Sequence, residues 1–406
     1  MNKHPNYKWY ILILAALTGA FAIGAPAMSL AVLFNEISAD LHLNLVQMGL
    51  LWSIGSLPAI FTSPLCGAID DRFGPKRVIL AGTFLVALAA GLRGVATSFL
   101  SMLMIIILIG ILLPLVTISS YKICGLWFPS RQLGLANGIL SMGLALGFLF
   151  GSLLSSTVLS PWLGGWRNVM FFYGGLAILF CIPWYFTLRA PDPTGQGPAG
   201  ETTVSMRQAL THIIKLKNIW LLGITVLGVA GCMQGLSGYL SLYLRGAGWV
   251  PVSADGALSL LSAMSLIFIL PITLWSDRLG SRKKILLGMV LMIAMGTGLL
   301  SVANGWVVWA AVILAGMVKD GSTALLMTMA IETDGVGALY AGTASGFVMF
   351  FLFIGNLLSP PFGNKLADFS PGLPFVFWAG LAVLGLISLS FTKAARTGKE
   401  PKTSLI

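Results

Sequence analysis

Twelve stretches of this sequence run for roughly twenty residues each with almost no charge, the length a helix needs to cross the hydrocarbon of a bilayer. They fall at Trp9–Phe34, Val46–Ile69, Val78–Ala96, Phe99–Ile123, Gly134–Val158, Val169–Leu188, Ile219–Leu244, Gly256–Trp275, Ile285–Val302, Trp306–Ile331, Ala338–Leu358 and Phe375–Phe391. The runs are continuously apolar rather than alternating, which excludes barrel strands. Only helices then satisfy their own backbone in lipid. Charged residues make up 9% of the chain, against about a quarter in a soluble domain, so no water-facing surface all round is possible. The expected fold class is an all-α membrane protein of twelve transmembrane helices. The first run is too long for a signal-peptide core and is read as a retained span.

The net charge of +11 would suggest nucleic acid on a soluble protein. Here the basic residues lie in short connections between apolar runs and act as topology determinants, so no nucleic-acid partner is expected. With both termini inside, roughly 19 basic residues fall on the cytoplasmic side, and about four outside: Arg93, Arg167, Arg245 and Lys365. That places the chain in the cell (inner) membrane with cytoplasmic termini. The four cysteines are isolated and read as packing residues; the three histidines have no metal-ligand spacing. No metal or cofactor is expected. No glycine loop ends in Gly-Lys-Ser/Thr and no nucleophile–base set is present, so neither ATP coupling nor an enzyme is expected.

The chain repeats itself. "GAIDDRFGPKR" follows the second run and "TLWSDRLGSRKK" the eighth, with Asp71 and Asp277 206 residues apart. The same shift lays "FFYGGLAIL" on "FVFWAGLAVL" and the fourth run on the tenth. Two parallel six-helix pseudo-repeats follow. Residues 1–189 form the N-terminal bundle and 218–406 the C-terminal one. Residues 190–217 are a linker, Pro/Gly-rich at first, then basic and apolar from Arg207, as suits a short helix on the membrane surface.

The two copies resemble the signature of the major facilitator superfamily. Gly67, Asp71, Arg72, Gly74, Lys76 and Arg77 fit the first; Asp277, Arg278, Gly280, Arg282 and Lys283 fit the second, with Pro75 and Thr273 as departures. A carboxylate beside a helix N-terminus is favoured by the exposed N–H groups. Asp71 is expected to reach the start of span eleven near Ala338, and Asp277 the start of span five near Gly134. Both contacts would hold the cytoplasmic side shut, and the resemblance implies the same breakable gate. It also implies that spans one, four, seven and ten line a central cavity. "WFPSRQLGLANGILSMG" is similar to the span four–five junction of organic-anion and nitrate-type members. The stripe Gly143, Gly147, Gly151 lacks the Gly-Pro of proton-coupled drug exporters, and span four lacks their mid-span basic residue.

Lys319 and Asp320 stand at the centre of span ten, about 13 residues from either end, hence at the midplane. An ionised group there costs at least ~2.5 kcal/mol and should face water or protein. Adjacent helical residues point about 100° apart, so separate partners are expected, with Asn356 on span eleven available to one. Lys319 is the candidate substrate-binding cation and Asp320 the candidate proton carrier. Gln234, Tyr239 and Tyr121 are further substrate-binding candidates; Lys122 reads either as a guide for an anion or as an inside anchor, and Arg93 as an anchor at a span end. The aromatic residues are expected mostly in the interfacial belts. The expected function is a monomeric secondary transporter in the lipid bilayer, moving a small, anionic solute by proton symport or exchange. Efflux of hydrophobic compounds is the alternative, and a transporter-like sensor a remote one, since the short tails offer no signalling domain.

Overall fold

A run of apolar residues in lipid has one economical conformation, the helix, and the chain adopts it almost throughout. A computed structural model describes residues 7–128, 130–187, 206–279 and 282–393; within these, the side chains of Asp71, Asp277 and Arg278, among others, lie outside the described residues. Eleven helices among the described residues are long and apolar enough to cross a membrane. They are Tyr7–Val32, Leu45–Ser63, Pro75–Val95, Phe99–Trp127, Leu135–Leu163 and Trp166–Phe186, which are spans one to six. Lys217–Gly246, Pro251–Ile269, Trp306–Ile331, Gly342–Leu366 and Leu373–Ser390 are spans seven, eight, ten, eleven and twelve. Span nine is the helix Arg282–Leu299. It opens on Arg282, Lys283 and Lys284, so its full length carries three charges, which keeps it out of that count.

Spans two and eleven pack across the two halves, as do spans five and eight. Each pair occupies the place that the repeat gives the other. We call the side bearing the Gly74 turn the signature side and the opposite one the far side. Gly74 has φ +81°, a conformation that side chains resist, and it lets span two turn directly into span three. Span one changes to a π-helical turn at Gly19–Gly24 just before Pro26, and span five does so at Ser155–Leu159 before Pro161. Proline removes a backbone donor, and a wide turn absorbs the mismatch. In span five, a side chain on Gly147 would lie 2.2 Å from the Ala20 carbonyl oxygen, so the glycine stripe lets spans one and five meet backbone to backbone.

One expectation fails here. Arg93 is 3% exposed rather than interfacial; its guanidinium donates to the carbonyls of Ala90 (3.2 Å) and Pro26 (2.9 Å). Trp166, Trp184 and Trp378 are buried inside the protein, while Trp162, Trp220 and Trp306 are exposed. Gly235 and Gly363 make the space for Trp378, whose indole N–H donates to the Ser359 carbonyl at 3.1 Å. In the linker, the helix Met206–Ile214 sits against span eleven, with His212 stacked on Tyr340 at 4.4 Å.

The halves meet at the far side, where hydrogen bonds join them from the midplane outward. Ser152 and Ser259 share a hydrogen bond at 2.8 Å, Asn364 donates to the Leu45 carbonyl at 2.9 Å, and Trp52 donates to the Gln234 carbonyl at 2.9 Å. Toward the signature side, Gly67, Gly138, Gly342 and Gly346 face open space.

Candidate functional site

Span ten is broken at its centre. One segment ends at Gly316 and the next begins at Lys319, with Val318 at φ −111°, ψ −3° between them. Gly316 packs so closely on span eight that a side chain would lie 2.8 Å from the Leu261 carbonyl oxygen, and the β-branched Val318 follows. The break leaves first-turn N–H groups without helical partners at the midplane. Lys319 and Asp320 are the first two residues of the new turn, where the helix end favours a carboxylate.

Both line a cavity of about 620 Å³ between the halves. Lys319 Nζ lies 3.8 Å from Asp320 Oδ1 and 5.6 Å from the centre of the Phe148 ring on span five. The Ser265 hydroxyl on span eight donates to Asp320 Oδ2 at 2.6 Å and accepts from the Asp320 N–H at 3.2 Å. The lysine side chain is 14% exposed and the aspartate 40%. The expectation of separate partners, one of them Asn356, is therefore corrected. The two charges face each other, and the second partner of Asp320 is Ser265. The 100° separates the Cα–Cβ directions, and the flexible four-carbon stem of the lysine bridges it.

The cavity walls come from spans one, two, five, seven, eight, ten and eleven. Span four, expected to contribute, supplies none of the lining among the described residues. It lies instead against spans two and three, and a side chain on its Gly110 would be 2.3 Å from the Gly55 carbonyl oxygen. Gln234 lines the cavity, and its amide donates to the Trp52 carbonyl at 3.4 Å. Tyr239 is buried below the far side, donates to the Pro371 carbonyl at 3.3 Å, and lines a second cavity there of about 760 Å³. Tyr121 is half-exposed and borders neither.

The signature residues divide. Lys76 donates to the Tyr185 carbonyl at 3.2 Å and to that of Thr187, while Lys283 donates to those of Ser390 (2.7 Å) and Thr392 (2.6 Å). Each copy thus caps the last span of its own half, a repeat of structure as well as sequence. Arg282 pairs with Glu332 at the end of span ten, also within one half. Arg72 lies over the Phe73 ring, Arg77 is exposed, and Gly67 faces open space. The expected contacts of Asp71 and Asp277, and the places of Arg278 and Gly280, lie outside the described residues.

Two groups were missed in the sequence. Asp70, next to the signature aspartate, is 1% exposed, accepts from Ser119 at 2.6 Å and pairs with Lys122 at 3.2 Å. On the far side Asp255 is fully buried and accepts from Arg245, Ser241 and Ser156. Arg245 Nη2 also donates to Ser156 Oγ at 2.6 Å. Ser156 belongs to the N-terminal half and the other three to the C-terminal half. Placing the start of span eight at Gly256 left Asp255 outside it, whereas the helix begins at Pro251.

The sequence profile of the Major Facilitator Superfamily matches residues 12–360. The chain belongs to that family. It is a multi-pass membrane protein and a secondary transporter, not an enzyme. "Probable galactarate/D-glucarate transporter GudP" of Escherichia coli K12 is 26% identical over 204 residues, 47% of this chain and 43% of that protein, so the match spans less than half of that relative. "Probable nitrate/nitrite antiporter NarK1" of Thermus thermophilus is 25% identical over 76% of this chain and 70% of its own. "Multidrug resistance protein MdtG" of Proteus mirabilis is 25% identical over 95% and 97%. Among solved structures, a mutant of the nucleoside transporter NupG superposes with a TM-score of 0.79 at 15% identity, covering 95% of this chain and 99% of that one, a likeness of fold alone.

Proposed function

We propose that this transporter moves a small anionic solute by alternating access, with Lys319 as its binding cation. The observation that supports this most directly is the lysine's place. It is a midplane ammonium with three donors, next to the N-terminal end of a half-helix, and its protein counter-charge is 3.8 Å away. A carboxylate entering the cavity can replace Asp320 as the partner of Lys319. A proton taken up by Asp320 would release the lysine and keep the cavity neutral, which makes symport of anion and proton the favoured coupling, with exchange as its limit when the proton does not move. The names of two relatives, a galactarate/D-glucarate transporter and a nitrate/nitrite antiporter, agree with an anionic cargo.

Further parts of the reading are ours too. Residues 1–189 and 218–406 act as two rocking bundles joined by 190–217. The chain works as a monomer in the inner membrane, with both termini cytoplasmic. The signature carboxylates Asp71 and Asp277 close the signature side in the alternate state.

Binding and counterflow of labelled anions on reconstituted protein test the site. Lys319→Gln should insert normally, since it removes a charge from the midplane, yet lose ~2–5 kcal/mol of anion affinity. Lys319→Arg should recover only part, because the planar fork places its charge differently. Near-normal affinity in Lys319→Gln would end the proposal. Efflux of hydrophobic compounds is favoured by a different observation, the apolar wall that the N-terminal half gives the cavity, and by the multidrug resistance relative. Under that reading Lys319→Gln keeps or improves transport of neutral lipophilic compounds.

A further inference from the structure

The central cavity has two unlike walls. Its N-terminal wall includes Met28, Met142, Leu144 and Phe148. The polar side chains on that wall are already engaged: Ser141 donates to the Asn137 carbonyl at 3.1 Å and Trp52 to the Gln234 carbonyl at 2.9 Å. The C-terminal wall holds the charge, Lys319 and Asp320, and beside it Thr323, Asn356 and Ser237. Among the described residues, the side chains of these last three make no hydrogen bond within the protein. The donors and acceptors still free for a ligand are thus gathered on one side, around one cation.

Resting on the anion reading above, we propose that the substrate is an amphipathic organic monoanion. Its single carboxylate sits on Lys319, and its apolar body lies against the N-terminal wall. Three features of the cavity support this. The cavity of about 620 Å³ has room for an organic body beside a carboxylate. Lys319 and Asp320 cancel, and protonation of Asp320 compensates one added negative charge; among the described residues lining the cavity, the second charge of a dianion would have no further cation as partner. A polyhydroxylated solute would need donors and acceptors on every face, and the side chains of one wall offer no free donor. A chain or ring of apolar atoms needs none.

The test is a binding series on the purified, lipid-reconstituted protein with straight-chain monocarboxylates from acetate to decanoate, the matching primary amides, and α,ω-diacids of equal length. Affinity should rise about fourfold for each methylene buried until the cavity is filled. Each amide and each diacid should bind at least tenfold more weakly than its monoacid. Met142→Ser, on the apolar wall, should lower the slope with chain length and leave acetate unchanged. A flat series, or tighter binding of diacids, with acids still preferred over amides and the preference lost in Lys319→Gln, overturns the amphipathic substrate and leaves the anion site standing. Equal binding of acids and amides, unaffected by Lys319→Gln, overturns the anion site itself.

Discussion

Ser156 is the one residue of the far-side charge cluster that comes from the N-terminal half. Its hydroxyl donates to Asp255 and accepts from Arg245 at 2.6 Å. When the halves separate at this side, the ion pair of Arg245 and Asp255 stays intact within the C-terminal half, and only the serine's bonds are lost. Ser156→Ala should therefore act on the conformational balance and little on folding. Hydrogen bonds to charged groups contribute ~1.5–3 kcal/mol each, and part of this is recovered because Asp255 keeps Arg245 and Ser241. A net loss of about 2 kcal/mol in the far-closed state corresponds to about thirtyfold in the open-to-closed ratio. Leu242, which lines the far cavity, gives a reporter as Leu242→Cys. The native cysteines, three buried and one half-buried, leave a low background. Labelling by a membrane-impermeant maleimide from the far side should speed up by at least tenfold in the Ser156→Ala background. Asp255→Asn is the contrast. It strands a buried guanidinium in both states and should cost ~3–5 kcal/mol of stability, read as a fall in Tm. If Ser156→Ala left the labelling rate within threefold of the parent, the serine would not be a clasp between the halves.

Three other outcomes are expected. Asp320→Asn should retain counterflow of the substrate anion but lose its response to an imposed proton gradient; an unchanged gradient response would remove the aspartate from coupling. Gly147→Ala sets a methyl against the Ala20 carbonyl oxygen and should lower stability by ~1–3 kcal/mol, seen as a reduced Tm in detergent, whereas an unaltered Tm would mean spans one and five separate without cost. Lys283→Met removes two bonds to the end of span twelve and should cost about 1–2 kcal/mol, while transport by the surviving folded fraction stays near normal; a selective loss of transport would instead make this signature lysine part of the gate.

Much of the architecture was readable because it rests on bulk solvation. Hydrocarbon admits helices of one length, and the 206-residue echo of the signature gives the duplication. Lys319 and Asp320 were legible for the same reason, since charges stand out against Leu, Ala and Val. What stayed hidden depends on close approach between elements far apart in the chain. Arg93 reads as an end-of-helix anchor until the fold sets the Pro26 carbonyl of span one beside it. Trp378 reads as a belt residue until Gly235 and Gly363, on other spans, make room for it. Asp70 and Asp71 are indistinguishable by composition, and only the fold puts Ser119 and Lys122 beside the first.

The break in span ten shows why the last kind of feature matters most for function. No proline marks it, and "ILAGMVKDGST" is as helical by propensity as its neighbours apart from two glycines. The cause lies on span eight. Gly316 docks on the Leu261 backbone, and Ser265, one turn further along, takes both the side chain and the N–H of Asp320. The bond from the Asp320 N–H replaces a helical hydrogen bond that the break gives up. The same serine therefore fixes the direction of the carboxylate, the position of the half-helix end, and through the 3.8 Å contact the place of the Lys319 ammonium. A midplane lysine in an unbroken helix would be a buried charge with a cost. Set at a helix start opposite a tethered carboxylate, its charge is matched within the protein. The chemistry of the site thus follows from a packing contact made 55 residues away in the chain.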